Sequence, residues 1–455
     1  MAREPVVLIH GYSDRGESFR PWAEALMRRG YAVEEVPVCT YRSLTNEVTI
    51  KDVAEAFDRA LRTLPNLGNG EPFNAIVHST GMLVLRNWMT TYAARRERLK
   101  RLIALAPATF GSPLAHKGRG FLGAIFKGNR QLGPDFLEAG DLILDSLELG
   151  SRYAWDLTQI DLLGEQPFYG RGDDTPYIFV FCGTQSYGGI RQLAGEPGTD
   201  GTVRWAGCSL NTRKFVIDFS RDPARDAQAD RVRTGDSPRD DVLSIPFWPV
   251  AGKNHTTIIS EPDDTLVDLV QRALQVDSQE KFEAWEADAR RKTANAVPAE
   301  KWQQFVIRAV DERGDPITDY HVDLFLMNGN EETPIEFDLD VHAYRADPSL
   351  RCFHVNLNEL QGAREKAGEG QLWARIIASS GSVLVGYHGI NSEKLTDEGR
   401  RMNRGEDAVW DAKVELPDRI GDASLFYPFT TTFVEIRMNR DPMPFGEIKN
   451  EICWF

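Results

Sequence analysis

Residues 74–86 read Asn74-Ala75-Ile76-Val77-His78-Ser79-Thr80-Gly81-Met82-Leu83-Val84-Leu85-Arg86. A short apolar run of strand length stops at His78-Ser79-Thr80-Gly81, and apolar residues then resume at helical spacing. The pattern predicts a buried strand turning sharply into a helix that lies against a sheet. A serine at such a junction has its hydroxyl lifted clear of the sheet. The helix start places backbone N–H groups beside it.

The flanking chain repeats the same alternation. Val6 to Ile9 predicts a first strand, ended by the turn His10-Gly11-Tyr12-Ser13-Asp14. Ser18 to Arg29 predicts a helix with Phe19, Trp22, Leu26 and Met27 on or near its buried face, closed by Gly30. A strand over Ala32 to Val38 and a helix over Ile50 to Leu64 follow, the latter with Val53, Phe57, Ala60 and Leu61 on one face. Arg101 to Ala106 and Tyr177 to Gly183 are further apolar strands. Strands alternating with helices predict an α/β fold with a mostly parallel sheet covered on both sides.

Within this frame Val77-His78-Ser79-Thr80-Gly81 resembles the nucleophile elbow of α/β-hydrolases, lipase-like members in particular. It departs from the pattern at Val77, where the family has glycine, so a branched side chain needs room nearby. The resemblance covers roughly residues 4–275 and implies roles for further positions. His10-Gly11 is similar to the early oxyanion loop, which implies backbone N–H donors at Tyr12 and Thr80. Thr199-Asp200-Gly201-Thr202-Val203 lies after the last clear strand, as the acid loop of lipase-like enzymes does. Asp173 and Asp174 precede that strand and fit the order less well. Asn254-His255-Thr256-Thr257 is similar to the family's histidine loop. The chain order Ser79, Asp200, His255 is the one this family uses. In that reading His255 takes the Ser79 proton, Asp200 fixes the imidazole, and two N–H groups meet the developing oxyanion. His78 reads as a structural neighbour of the elbow rather than a base. No cofactor and no metal are implied.

From about 114 to 166 the strand–helix rhythm breaks. Gly120-Phe121-Leu122-Gly123-Ala124-Ile125-Phe126 is apolar, and Phe136, Leu137, Leu142, Ile143, Leu147 and Leu149 suggest one or two amphipathic helices. An insertion here would form a helical lid over the serine, lined for an acyl chain and able to touch a lipid interface transiently. The bland alternative is a helical excursion packed shut on the sheet.

Length and composition bound the rest. A chain of 455 residues predicts two domains. The first spans 1–276, a charged linker helix covers 277–297, and period-2 patterning from Trp302 predicts a C-terminal all-β sandwich over 298–455. The net charge of −15 disfavours a nucleic-acid binder, which depends on neutralising phosphates. The aspartate-rich stretch 218–241 matches no calcium loop and reads as a solvated, salt-bridged segment. The five cysteines show no metal spacing and read as core residues, with Cys182 and Cys208 one pair that a bridge could join. No stretch is long and apolar enough to cross a membrane, and no secretory leader is visible before Val6. The expectation is a cytoplasmic protein, or one exported without such a leader or numbered from a processed start.

The function expected is a serine hydrolase of lipase or esterase type, acting on a hydrophobic carboxylic ester. Acyl transfer or amide hydrolysis on the same triad, and a non-catalytic binding or scaffold module, remain open alternatives. The partner of the β domain is unassigned.

Overall fold

The computed structural model describes residues 4–11, 17–36, 47–92, 97–115, 141–166, 168–170, 175–187, 196–220, 231–235, 245–293, 295, 297–381, 385–388, 410–420 and 423–442. The chain divides into two compact units. The first comprises Met1–Thr212, Val242–Trp302 and Phe429–Thr431, and the second comprises Arg213–Asp241, Gln303–Pro428 and Thr432–Phe455.

The first unit is built on six strands: β1 (Val6–Ile9), β2 (Val33–Val36), β3 (Phe73–Ser79), β4 (Leu99–Pro107), β5 (Tyr177–Gly183) and, after two strands given to the second unit, β8 (Phe247–Val250). They lie in the order β2-β1-β3-β4-β5-β8 and every pairing is parallel. Strands covered on both faces read as unbroken apolar runs. Accordingly β1, β3 and β5 are buried at every residue.

Local chemistry sets the helix ends. Thr49 and Asp52 form a reciprocal capping box that starts helix Ile50–Thr63, the Thr49 N–H donating to Asp52 Oδ2 at 2.8 Å. Gly30, at φ 79°, takes the left-handed position after helix Arg20–Arg28, and the Tyr31 N–H returns to the Leu26 carbonyl at 3.1 Å. Phe19, Trp22 and Leu26 are buried here as their spacing predicts. Met27 is not: it is 54% exposed, because the buried stripe is narrower than the apolar set. The helix after the serine, Gly81–Thr91, is buried on all sides through Met89.

Of the expected lid, 114–115 and 141–166 are described, and the latter forms helices Asp141–Leu147 and Arg152–Asp161. These contact each other and the helices Ile50–Thr63 and Gly81–Thr91. Ile143, Leu147 and Leu149 are buried there, while Leu142 is exposed. The glycine-punctuated run at Gly120–Phe126, with Phe136 and Leu137, lies outside the described residues.

Among its described residues the second unit is all-β apart from one helix. A four-stranded antiparallel sheet has the order β11-β10-β14-β16, from β10 (Asp319–Asn328), β11 (Glu331–Pro334), β14 (Gln371–Ser379) and β16 (Trp410–Glu415). A larger sheet runs β12-β13-β9-β19-β6-β7, with β15 added on β19. Its strands are β6 (Thr212–Asp218), β7 (Val232–Thr234), β9 (Trp302–Asp311), β12 (Asp340–Ala343), β13 (Leu350–Asn356), β15 (Val385–His388) and β19 (Thr431–Pro442). A small hairpin, β17 (Arg419–Ile420) with β18 (Ala423–Ser424), stands apart. The alternate residues Phe305, Ile307 and Ala309 of β9 and Leu372, Ala374, Ile376 and Ala378 of β14 share one apolar core. Within the stretch 218–241, expected as a solvated segment, Val232–Thr234 instead forms β7 of this sheet with Val232 buried, and Asp218 ends β6. Helix Leu357–Ala367 is capped by the Asn356 side chain, which accepts from the Asn358 N–H at 3.0 Å.

Candidate active site

Ser79 is the last residue of β3 and carries φ 53°, a left-handed backbone that a non-glycine residue rarely takes. Such strain persists only where the surroundings enforce it. Two glycines leave the space: a Cβ at Gly11 would fall 2.8 Å from Ser79 Cβ, and one at Gly81 would fall 2.7 Å from the Ile9 carbonyl oxygen. Val77, where the family pattern has glycine, is fully buried, and its register partner on β4 is the small Ala104. The adjoining β4 bends as well, with Ala106 at φ 44° and a register shift between His78 and Ser79.

The loop after β5 supplies Asp200. Its Oδ1 accepts the N–H groups of Thr202 at 3.0 Å and Val203 at 2.8 Å, and its own N–H donates to the Val203 carbonyl at 3.1 Å. Gly201 follows at φ 96°, where a Cβ would strike the Tyr187 ring at 2.7 Å. Only a glycine fits that turn.

The loop after β8 supplies His255. Asn254 holds it by accepting from the N–H groups of Thr256 at 3.0 Å and Thr257 at 2.9 Å. Asp200 and His255 meet twice. Asp200 Oδ2 lies 2.9 Å from His255 Nδ1, and the His255 N–H donates to the Asp200 carbonyl at 3.0 Å. Both side chains are 0% exposed. The Tyr187 hydroxyl sits 3.1 Å from both Thr202 Oγ1 and Thr256 Oγ1, tying the acid loop to the histidine loop.

His78 links this pair to the serine. Its Nε2 donates to the His255 carbonyl at 3.0 Å, and the two rings lie 4.6 Å apart. Burial, then the neighbouring His255, hold the His78 pKa well below the ordinary histidine value, so it is neutral near pH 7. A neutral imidazole donating from Nε2 to a carbonyl is a fixed spacer between Ser79 and His255. Thr80 is buried at the start of helix Gly81–Thr91, its carbonyl accepting from Leu83 and Val84. Its N–H is bonded to no described residue, which leaves a donor beside Ser79. Tyr12, the other expected donor, and Asp173 and Asp174 lie outside the described residues.

One arrangement here was not anticipated from sequence, and one differs from its expectation. Arg86, on the elbow helix, is fully buried in a forked pair with Asp161 at 2.7 and 2.9 Å and donates to the Thr109 carbonyl at 2.6 Å. The Tyr169 hydroxyl donates to the same carboxylate at 2.8 Å. Burial opposes the Arg86 charge, and Asp161 more than offsets it, raising the guanidinium pKa above its usual value. The other is the cysteine pair that a bridge could join: the two thiols do meet, unbridged. Cys182 and Cys208 are free thiols with sulfurs 3.3 Å apart, well beyond the ~2.05 Å of a bridge. Cys208 donates to Cys182, and Cys182 donates to Asp200 Oδ2 at 3.9 Å. Burial pushes both thiols up, so they stay protonated as weak donors toward the acid. Among the described residues no group of histidine, cysteine and carboxylate side chains is arranged to hold a metal ion.

No family model and no curated protein matches the chain. Solved structures do. Phospholipase PlaB from Legionella pneumophila has a TM-score of 0.75 and 23% identity, with 100% of this chain and 98% of that one covered. The same enzyme in complex with thio-NAD gives 0.74 and 22%, covering 99% and 97%. At this identity the likeness is one of fold. With the all-parallel sheet and the strand-to-helix serine it establishes an α/β-hydrolase-like fold carrying additional C-terminal β-sheets. No described helix is long and apolar enough to cross a membrane.

Proposed function

We propose that the protein is a serine hydrolase that cleaves hydrophobic carboxylic esters through an acyl-enzyme, with Ser79 as nucleophile, His255 as base and acid, and Asp200 as the orienting carboxylate. The observation that carries this reading is the buried 2.9 Å contact between Asp200 and His255 Nδ1, in a loop whose carbonyl is fastened to the residue preceding Ser79. Asp200 then fixes the tautomer that leaves Nε2 to accept a proton, and it supports the imidazolium that forms. Ser79 attacks the ester carbonyl as His255 takes its proton, and the oxyanion is met by the Thr80 N–H and that of Tyr12. His255 returns the proton to the leaving alcohol, and a water repeats the sequence on the acyl-serine. No cofactor enters these steps.

The PlaB structure of the same fold is named a phospholipase, which makes the acyl ester of a phospholipid the first substrate to test. The lid expected over 114–166 and its transient contact with lipid belong to the same proposal. So does the division into a hydrolase domain at 1–276, a linker at 277–297 and a β domain at 298–455. Fatty acid release from phosphatidylcholine, and turnover of nitrophenyl esters of graded chain length, test the reading. We expect turnover that falls at least ~10³-fold in Ser79→Ala and His255→Ala. Turnover that survives both substitutions would sink it.

A further inference from the structure

Asp200 and His255 are joined by two hydrogen bonds, one from the backbone and one between the side chains. Both fall on the same residue pair. Contacts at one point fix a distance and still let two loops hinge about it, which would swing Oδ2 off the line of Nδ1. A third contact stands off that hinge. The Tyr187 hydroxyl meets Thr202 Oγ1 and Thr256 Oγ1, each at 3.1 Å, and these follow closely on Asp200 and His255 in the chain.

Every part of that bridge is anchored in turn. The chain leaving β5 runs along the histidine loop: the Thr184 N–H donates to the Val250 carbonyl at 3.2 Å and the Gln185 N–H to the Lys253 carbonyl at 2.9 Å. A Cβ at Gly183 would fall 2.4 Å from the same Lys253 oxygen, so the two segments are pressed together there. Thr202 is held at both ends of its backbone, its N–H by Asp200 Oδ1 and its carbonyl by the Ser112 hydroxyl at 2.6 Å. The Thr256 N–H donates to Asn254 Oδ1, and its carbonyl accepts from the Ser260 N–H at 3.1 Å. A bridge between residues so fixed transmits position from one loop to the other.

The hydroxyls serve each other. Tyr187 and Thr202 are buried, Thr256 is half-buried, and neither threonine hydroxyl meets another described residue. Phenylalanine and valine would fill the same space without burying polar groups that must then be satisfied. With one proton each, the three oxygens form a chain in which the tyrosine donates to one threonine and accepts from the other.

We infer that Tyr187 is a positioning residue of the proposed hydrolase, locking the acid loop and the histidine loop so that Asp200 Oδ2 stays aimed at His255 Nδ1. The inference rests on the catalytic reading of Ser79, Asp200 and His255. Tyr187 bears on the orientation of the base and not on the binding of ester, so its loss falls on kcat and spares KM. A misplacement of ~1 Å in a catalytic group is enough to cost up to ~100-fold.

The test measures kcat and KM on a soluble nitrophenyl ester, and the rate of fluorophosphonate labelling, in full-length protein. Four forms are compared: the parent, Tyr187→Phe, Asp200→Asn and the double variant. Tyr187→Phe keeps the ring against Gly201 and removes only the hydroxyl. We expect kcat and labelling rate to fall together by ~10–100-fold, with KM held within ~2-fold. In the Asp200→Asn background the same change should cost less than ~2-fold, because the orientation it protects is already lost. A hydroxyl that only supports the fold would cost the same in both backgrounds. If Tyr187→Phe fails to fold, Thr202→Val and Thr256→Val, each breaking one half of the bridge, take its place in the same comparison. A parent protein inert toward both ester and fluorophosphonate would overturn the hydrolase reading and this one with it. An active parent whose Tyr187→Phe variant keeps its kcat, or losses that add in full with Asp200→Asn, would overturn the role of Tyr187 alone.

Discussion

Asp200 uses both carboxylate oxygens for different tasks. Oδ1 is saturated by two backbone N–H groups of its own turn, which keeps the side chain still, and Oδ2 faces His255 and the Cys182 thiol. Replacing it with asparagine keeps the shape but presents an amide to Nδ1, stabilising the wrong tautomer. We expect Asp200→Asn to lower kcat on a soluble ester by ~10³–10⁴-fold with little change in KM or Tm. Full activity in that variant would contradict the assignment of the acid. His78 gives a second outcome at this scale. Its pKa is depressed in the folded protein relative to ~6.5 unfolded, so its contribution to stability is complete above ~6.5 and is lost as pH falls below that value toward the folded pKa. Denaturant midpoints measured from pH 7.5 to 5 should fall with a slope of up to ~1.4 kcal/mol per pH unit from this one group, and His78→Gln should flatten the curve. The turns that carry Ser79, Asp200 and His255 could be located because each is a local pattern of residues that follows a strand. The spacer role of His78 could not, since it depends on a carbonyl 177 residues away.

At the scale of elements, the helix Gly81–Thr91 is held on the sheet by more than apolar burial. Arg86 projects from it into a site where Asp161, Thr158 and the Thr109 carbonyl consume its donors. Three segments are fastened at one buried guanidinium. Asp161→Ala leaves that charge without its counter-ion, and we expect a loss of about 3–5 kcal/mol in urea unfolding. A change under ~1 kcal/mol would mean that the pair does not hold the elbow helix. Nothing in the local sequence marks this pair, because Arg86 sits on an apolar helix and Asp161 ends a later one. The helix termini were easier: Thr49 with Asp52 and the stop at Gly30 are written in adjacent residues. For the lid, helix Arg152–Asp161 packs against the elbow helix and Asp141–Leu147 against Ile50–Thr63, and no periodicity distinguishes that from covering the serine.

For the whole molecule, the parallel sheet was readable because each strand–helix step is a local pattern repeated. The second unit was readable only from Trp302 onward. Its strands β6 and β7 lie in sequence within the first unit's range, and the order β9-β19-β6 joins residues some two hundred positions apart. Such non-local pairing leaves no mark in a sliding window. A chain ending after Trp302 would leave β6 without its partner β19 and expose an unpaired edge. We expect that truncation to be insoluble or aggregated by size-exclusion chromatography, and a monodisperse product would contradict the sheet order. Whether Ser79 is an activated nucleophile is read from intact mass after incubation with a fluorophosphonate. We expect a single adduct on the unmodified protein, absent from Ser79→Ala. An unchanged mass both with and without detergent, or an adduct that Ser79→Ala retains, would contradict the assignment.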